Sequence, residues 1–381
     1  MALVDAVQAA ATRQPSRAFF SPTLDFLGLG GGALLLLPIL AWMIPDSANA
    51  RALFVSVLLA NVINQPHFAH SYQIFYRTFR SVVSDPGSDR KLYARYLWAG
   101  LGAPIFLTVF FVVALKWGGA RTLGYAGNAM LFFVGWHYVK QGYGMLMVDA
   151  ALRRSFFGEA DKKILLINSY VCWAVSWLAA NKAVAERDFW GLAYATIDVP
   201  IGLLWLGAVA LVITTLFAAW TLFHHARAHR GGVPANGIAA YVAALYPWIF
   251  MVREPVLGAF IPAMHSLQYL VIVWRYQLNL EQAKLDAAEH PAWIRTPTFA
   301  PTKATVRFAG FALRAVALGL FGFWVLPIAL SMLVPYDRGQ YGDYLFFFVL
   351  IIFINIHHYF IDNAMWRKEN PHTLRHLFSH R

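Results

Sequence analysis

Charged residues and cysteine are both scarce in this chain, and each shortage excludes a class of protein. Only 13% of the 381 residues are charged, whereas soluble domains carry about 25%. The one cysteine, Cys172, allows neither a disulfide within the chain nor a cluster of thiolate ligands around a metal. The sequence therefore excludes an ordinary soluble domain, a disulfide-stabilised fold, a structural zinc site and an iron–sulfur protein.

Apolar sequence takes the place of the missing charge. Hydrophobic residues make up 59% of the chain, and they recur in runs of about 20 residues, long enough to cross a hydrocarbon layer of roughly 30 Å. Helices are expected because a backbone in lipid must satisfy its own hydrogen bonds. We predict an all-α, polytopic transmembrane helical bundle with about ten spans, near 26–45, 52–74, 94–115, 128–148, 164–180, 200–223, 236–251, 256–277, 308–333 and 341–365.

The seventh predicted span, 236–251, is short and is joined to the eighth through Arg253-Glu254-Pro255. A complete span, a re-entrant segment and half of a broken helix all remain open for it. In the first span, the glycines from Gly28 to Gly32 include the GxxxG spacing that lets two helices pack closely. We therefore expect that span to contact a neighbour backbone to backbone.

Lysine and arginine are distributed unevenly between the two sets of alternate loops. Of the 31 basic residues, 22 fall in one set and seven in the other, and the richer set is expected to be cytoplasmic. We predict a bacterial-type inner membrane protein with a cytoplasmic amphipathic segment over 1–25, one transmembrane domain over 26–365 and a basic cytoplasmic tail over 366–381. These loops account for the net charge of +12, so the expected partners are membrane lipids and no nucleic acid.

The thirteen histidines divide into two groups by their position relative to the predicted spans. Seven lie in polar loops or tails, where solvent or lipid head groups explain them: His224, His225, His229, His290, His372, His376 and His380. The other six lie within or at the ends of spans 2, 4, 8 and 10, which all run in the same direction: His67, His70, His137, His265, His357 and His358.

These six histidines have a similar predicted depth. Each of His67, His265 and His357 precedes an arginine by ten residues, which places it about 15 Å along the helix from a basic anchor at the interface. His137 precedes Arg153 by sixteen residues and lies somewhat deeper. Because neutral imidazole is the commonest protein ligand for metals, we predict a shared polar site with all six histidines as candidate metal ligands.

Polar residues near these histidines complete the predicted site. Asp362 lies one helical turn after His358 and is expected to accept a hydrogen bond from its ring. We assign Asp362 and Tyr269 as candidate catalytic residues. Lys140, Gln141 and Gln268 are candidate cofactor-binding residues because they lie beside His137 and His265. Lys140 either extends to the interface or binds an anionic head group or cofactor.

The predicted ligand set narrows the choice of metal. It is rich in imidazole and poor in carboxylate and thiolate, which leaves non-haem iron, copper and haem b held by two histidines. His67 and His70 lie three residues apart and share one helix face. His357 and His358 are adjacent, so only one of them can point squarely into the bundle.

Two families of membrane iron enzymes share short motifs with this chain. The HxxH at 67–70 and the HH at 357–358 resemble the boxes of membrane fatty-acid desaturases and hydroxylases, although the HxxxH and HxxHH spacings are absent. The sequences HFAHS at 67–71 and HSLQ at 265–268 resemble the Brp/Blh-type bacterial carotene dioxygenases, although this chain has more predicted spans. The second resemblance implies an iron oxygenase that acts on a lipid-soluble substrate.

The leading functional hypothesis is a membrane-embedded oxidoreductase or oxygenase whose non-haem iron is held by histidines of spans 2, 4, 8 and 10. Its expected partners are a lipid-soluble small molecule and an electron donor. One alternative is a transporter or channel that uses the buried His, Asp and Lys residues as a proton or ion relay. Another is an electron carrier with haem b held by two histidines.

Overall fold

The computed structural model describes residues 18–43, 50–85, 87–183, 188–229, 232–250, 257–288, 301–367 and 369–377. The first part of the predicted N-terminal segment, the link Arg253-Glu254-Pro255, His290 and His380 lie outside these ranges. The described part is all-α, as predicted, apart from a hairpin of two-residue strands, β1 (Asp188–Phe189) and β2 (Leu192–Ala193), paired antiparallel.

Several of the long helices are interrupted by five-residue π-helical turns that lie next to regular α-helical pieces. The helices are α1 (Pro22–Met43), α2 (Ala50–Leu59, Ala60–Asn64 and Gln65–Val83), α3 (Arg90–Leu97, Trp98–Gly102, Ala103–Val113 and Ala114–Gly118), α4 (Gly119–Leu152), α5 (Glu159–Ala183), α6 (Ile201–Ala228), α7 (Ala235–Leu245), α8 (Pro247–Phe250), α9 (Leu257–Ala288), α10 (Pro301–Leu320, Phe321–Val325 and Leu326–Leu333), α11 (Arg338–Tyr341), α12 (Leu345–Met365) and α13 (Pro371–Leu377).

Among the described residues, six helical segments are long and apolar enough to cross a membrane. They are Pro22–Met43, Arg90–Leu152, Glu159–Ala183, Ile201–Ala228, Thr305–Leu333 and Leu345–Met365. The segment Arg90–Leu152 is 63 residues long and contains two predicted spans, which are separated where Gly119 takes a φ of 70°. The chain is therefore an all-α, multi-pass membrane protein.

The helices α2 and α9 are not among those six, and polar side chains in their middle sections distinguish them. The piece Gln65–Val83 of α2 buries Gln65, His67, His70 and Ser71, and α9 buries His265, Ser266 and Gln268. Polar groups at this depth are tolerated only where they face other protein groups or water. Both helices therefore belong to the interior of the bundle, where they position the site.

Close helix contacts surround this interior. A Cβ atom added at Gly30 of α1 would lie 2.6 Å from the backbone oxygen of Ala239 on α7, and one at Gly28 would lie 2.6 Å from Val271 on α9. The backbones of α1 and α7 thus meet at a distance that only glycine permits. The expected close packing of the glycine-rich first span is present.

A π-helical turn precedes the first pair of histidines. It covers Ala60–Asn64 and is followed by Pro66, which has no backbone N–H to continue the regular helical hydrogen bonds. The wider turn changes the direction in which Asn64 and the following residues project. As a result, the backbone oxygen of Asn64 lies 2.6 Å from Nδ1 of His67.

Candidate metal centre

Four helices bring one histidine each into the centre of the bundle. They are His67 on α2, His137 on α4, His265 on α9 and His358 on α12, and each is 6% exposed or less. The ring of His137 lies 5.0 Å, between centroids, from the rings of both His265 and His358, and His67 lies 4.6 Å from His358. These are the four helices on which the sequence predicts a shared site.

Donor atoms from three residues converge most closely. Oδ2 of Asp362 lies 3.4 Å from Nε2 of His358 and 3.8 Å from Nε2 of His137. In this group each residue offers one ligand atom, and all these atoms lie within 4.8 Å of one another. His67 adjoins the group because its Nε2 is 3.1 Å from Nε2 of His358. Asp362 is thus the predicted partner of His358, and it also reaches His137.

The orientation of His67 is fixed by contacts at Nδ1, the ring nitrogen that faces away from the centre. Its Nδ1 lies 2.6 Å from the backbone oxygen of Asn64 and 2.9 Å from Oγ of Ser266, whose hydroxyl also donates to Oδ1 of Asn64 at 2.7 Å. A proton on Nδ1 that is donated to the carbonyl leaves the lone pair on Nε2, which faces the centre. Buried metal-binding histidines are commonly oriented by such a contact.

Asp362 is oriented in a comparable way. The hydroxyl of Tyr269 donates to Oδ1 of Asp362 at 3.0 Å and lies 2.5 Å from Oγ of Ser71. The indole N–H of Trp366 also donates to the Tyr269 oxygen, at 3.2 Å. These contacts hold one carboxylate oxygen away from the centre and leave Oδ2 towards His137 and His358. Tyr269 is therefore placed to control the position of Asp362.

His265 is held by packing rather than by hydrogen bonds to its ring. The ring stacks on Tyr138 with the centroids 3.5 Å apart and the planes at 10°. The amide of Gln141 donates to the backbone oxygen of His265 at 3.1 Å and to Oε1 of Gln268 at 3.4 Å. The two glutamines, predicted to bind a cofactor, thus join α4 to α9 beside the site.

The other two predicted ligands lie apart from the four-histidine cluster. Nδ1 of His357 lies 2.7 Å from the Tyr72 hydroxyl, and its Nε2 lies 2.9 Å from the backbone oxygen of Ala99. The ring of His70 packs on Phe311, and its Nε2 accepts a hydrogen bond from Trp274 at 3.4 Å. Of the adjacent pair on α12, His358 points inward and both ring nitrogens of His357 are engaged elsewhere.

Several ring nitrogens in the cluster have no hydrogen-bond partner within the described part of the chain. They are Nε2 of His137, Nδ1 of His358 and both nitrogens of His265. A buried polar atom without a partner costs about 1–3 kcal/mol. Four such atoms in one cluster are unfavourable for a purely structural hydrogen-bond network, whereas a bound cation would give a partner to Nε2 of His137 and to one nitrogen of His265.

A cavity of about 540 Å³ adjoins the cluster. Its lining includes His137, Tyr269, Tyr359 and Asp362 from the centre and the charged residues Lys140, Arg367 and Glu369. Its volume lies within the range of about 300–1,000 Å³ found for small-molecule sites. The protein thus combines a buried group of donor atoms with space for a ligand beside them.

Sequence reasoning missed the residues that orient the cluster and misjudged one histidine. Ser266 and Ser71 contribute directly, but a serine next to a histidine is too common in membrane helices to be a signal. The prediction that His225 is solvated is wrong, because its ring is 6% exposed and its Nε2 lies 2.6 Å from Oγ of Ser155. The stacking of His225 on Phe157 explains this burial.

No protein-family model, curated protein or solved structure matches this chain. What can be inferred about its activity therefore depends on the geometry of the site.

Proposed function

We propose that this chain is a membrane-embedded oxidoreductase or oxygenase whose non-haem iron is held by the four-histidine cluster and Asp362. One observation carries the proposal: His137, His358 and Asp362 present buried donor atoms to one point in the bundle, beside ring nitrogens that have no other partner in the described chain. This group contains the two histidines and one carboxylate that hold iron in many non-haem iron oxygenases, and His67 and His265 add further imidazole donors beside it.

The spacing of the donors supports a metal held by imidazole. Two nitrogens that bind one metal at about 2.1 Å and at a right angle stand about 3.0 Å apart. Nε2 of His67 and Nε2 of His358 are 3.1 Å apart. Two axial histidines on opposite faces of a haem would place their nitrogens about 4 Å apart with the macrocycle between them. The donor set therefore favours a single ion over haem b, and the carboxylate favours iron over copper.

Iron in this position would supply the binding and reduction of dioxygen. The residues around it would orient its ligands and limit its contact with water. Tyr269 already orients Asp362, and the backbone oxygen of Asn64 already orients His67. These two side chains therefore need little reorganisation when the metal binds. Burial of the four histidines and Asp362, each 6% exposed or less, limits the access of water. If only one oxygen atom enters the product, two further electrons and two protons must come from a separate electron donor, which is then a required partner.

The adjoining cavity supports a lipid-soluble substrate. It is lined mainly by membrane helices that hold the cluster, α4, α9 and α12. We further propose that the chain crosses a bacterial-type inner membrane ten times with both termini in the cytoplasm, because the distribution of basic residues between alternate loops requires an even number of spans. The cluster then lies in the cytoplasmic half of the bilayer.

Metal analysis combined with an optical spectrum of the purified protein tests this function. We expect about one iron per chain and no intense haem Soret band. A Soret band that disappears when His358 is replaced would instead identify a haem carrier. Two results together would identify a proton or ion relay and contradict the proposal: a protein without stoichiometric metal, and an ion flux whose pH dependence changes in His137→Ala.

A further inference from the structure

The cavity beside the cluster is lined by two chemically different groups of polar residues. His137 and Asp362 belong to the cluster, and Lys140 and Arg367 are basic. Lys140 follows His137 by one helical turn on α4, and Arg367 follows Asp362 by five residues just beyond the end of α12. Two helices that supply the cluster thus each carry a cation to the same cavity.

Neither cation forms a close ion pair with an acid in the described ranges. Lys140 lies above the rings of Tyr143 and Tyr170, at 5.7 and 5.8 Å from their centroids, and no carboxylate there lies within 4 Å of its ammonium group. Arg367 donates to the backbone and side-chain oxygens of Asn363. A half-buried cation that packs only on aromatic rings and a neutral amide retains the capacity to bind an anion.

The remaining charged group near Lys140 and Arg367 does not cancel the two cations. Glu369 lines the cavity, but its carboxylate is 4.0 Å from Arg95 and forms a loose ion pair with it. The local balance therefore stays positive. Arg367 is always protonated and can present two N–H groups to one carboxylate or phosphate, whereas Lys140 acts as a point charge.

The rest of the cavity lining is mainly apolar. It includes Met145, Val148, Ile272 and Leu377, and the two on α4 follow Lys140, on the side away from His137. An apolar ligand alone would leave the two cations without a partner, and a small soluble anion would leave the apolar part unfilled. Both requirements are met by a single-chain amphiphile with one anionic head group.

On the basis of the oxidative function proposed above, we propose that the substrate is a single-chain amphiphile whose carboxylate or phosphate binds Lys140 and Arg367, next to His137 and Asp362, while its apolar chain occupies the apolar part of the cavity. The fixed head group would select the position along the chain that reaches the cluster. Binding energy from the head group would thus be used to orient the reacting part of the molecule.

Photo-crosslinking in nanodiscs of neutral lipid tests this binding mode. The probe is palmitate with a photoreactive diazirine in its chain, compared with the corresponding lysophosphatidic acid and with the uncharged alcohol. We expect both anions to label peptides of 136–148 and 359–366, and the alcohol to label them at least about tenfold less, as for the loss of a charged hydrogen bond. Labelling by only one anion identifies the head group as carboxylate or phosphate.

Matched variants separate the head-group contact from general effects of charge. Lys140→Gln and Arg367→Gln should each reduce labelling by the anions roughly tenfold without changing labelling by the alcohol. Lys140→Arg should retain most of it. Lys162→Gln should have no effect, because Lys162 pairs with Glu159 at the surface and does not line the cavity. Equal labelling by anion and alcohol, or an equal loss in Lys162→Gln, would overturn the inference.

The binding mode and the metal function fail separately. Iron content is measured on the same samples, and it should be unchanged in Lys140→Gln because Lys140 donates nothing to the cluster. Selective labelling by anions in a protein without metal would retain the amphiphile site and reject the oxidative function. Stoichiometric iron with no preference for the anions would retain the metal function and reject the amphiphile site.

Discussion

Asp362 links two helices of the centre, because its carboxylate lies beside His137 on α4 and His358 on its own helix and is itself held by Tyr269. The histidines, by contrast, differ in what they do although their sequence context is similar. His357 and His358 are neighbours, yet only His358 reaches the cluster. This difference allows a comparison between two variants one residue apart.

Replacement of His358 by alanine should remove iron from the purified protein, since alanine offers no donor atom at that position. Replacement of His137 should have the same result. Elemental analysis measures the effect, and His357→Ala provides the control because both nitrogens of His357 are engaged by Tyr72 and Ala99. Loss of iron from His357→Ala with retention in His358→Ala would show that His357, and not His358, is the ligand.

Replacement of Tyr269 by phenylalanine should weaken metal binding without abolishing it. The variant removes the hydrogen bond that orients Asp362 but leaves every donor atom in place, and the loss of such a supporting contact typically costs about 10–100-fold in affinity. Competition with a chelator gives the affinity. Tyr76→Phe is a matched control, because its hydroxyl donates to the backbone oxygen of Gly100, away from the cluster. Affinity in Tyr269→Phe equal to that of the unchanged protein would contradict this role.

At the level of single residues, the common level of the histidines along their helices could be predicted from the sequence. The direction in which each histidine points could not. The equal spacing of His67, His265 and His357 from their arginines indicated a common level. Which histidine turns inward depends on helix rotation, and the π-helical turn Ala60–Asn64 alters that rotation just before His67. Adjacent positions differ by about 100° on a helix, so a small local change decides between them.

Among the helices, the position of the site depends on close packing around α7 and α9. The run of glycines in α1 was recognisable as a packing motif, but its partner was not, because α7 is short and its span was ambiguous in the sequence. The close approach of Gly30 to Ala239 identifies α7 as that partner. The interior helices α2 and α9 were predicted from their histidines and polar residues rather than from hydropathy, since polar side chains weaken the apolar pattern.

A methyl group at Gly30 should destabilise the protein. In Gly30→Ala the new Cβ would lie 2.6 Å from a backbone oxygen that cannot move away easily, and such overpacking costs about 1–3 kcal/mol. Thermal unfolding in detergent gives the change in stability. Gly310→Ala is the control, because a Cβ at Gly310 meets nothing within 4 Å. A Gly30→Ala protein as stable as the control would show that α1 can move aside.

For the molecule as a whole, the distribution of basic residues predicts the orientation in the membrane. Reporter fusions after Arg154 and after Arg338 should lie on opposite sides, because the first follows an even and the second an odd number of the ten predicted spans. A reporter that is active only in the cytoplasm distinguishes the two positions. Fusions on the same side would show that the number of crossings between them is even.

The long helix α6 is the least buried of the candidate spans, with 6% of its most apolar window inside the bundle. Its apolar part, residues 201–223, is about 35 Å long, which exceeds a hydrocarbon thickness of about 30 Å. Such hydrophobic mismatch is relieved by tilt or by local thickening of the bilayer. Reconstitution into phosphatidylcholines of increasing acyl-chain length should therefore raise the thermal unfolding temperature until the thickness matches, and deletion of one turn of α6 should move that optimum towards shorter lipids.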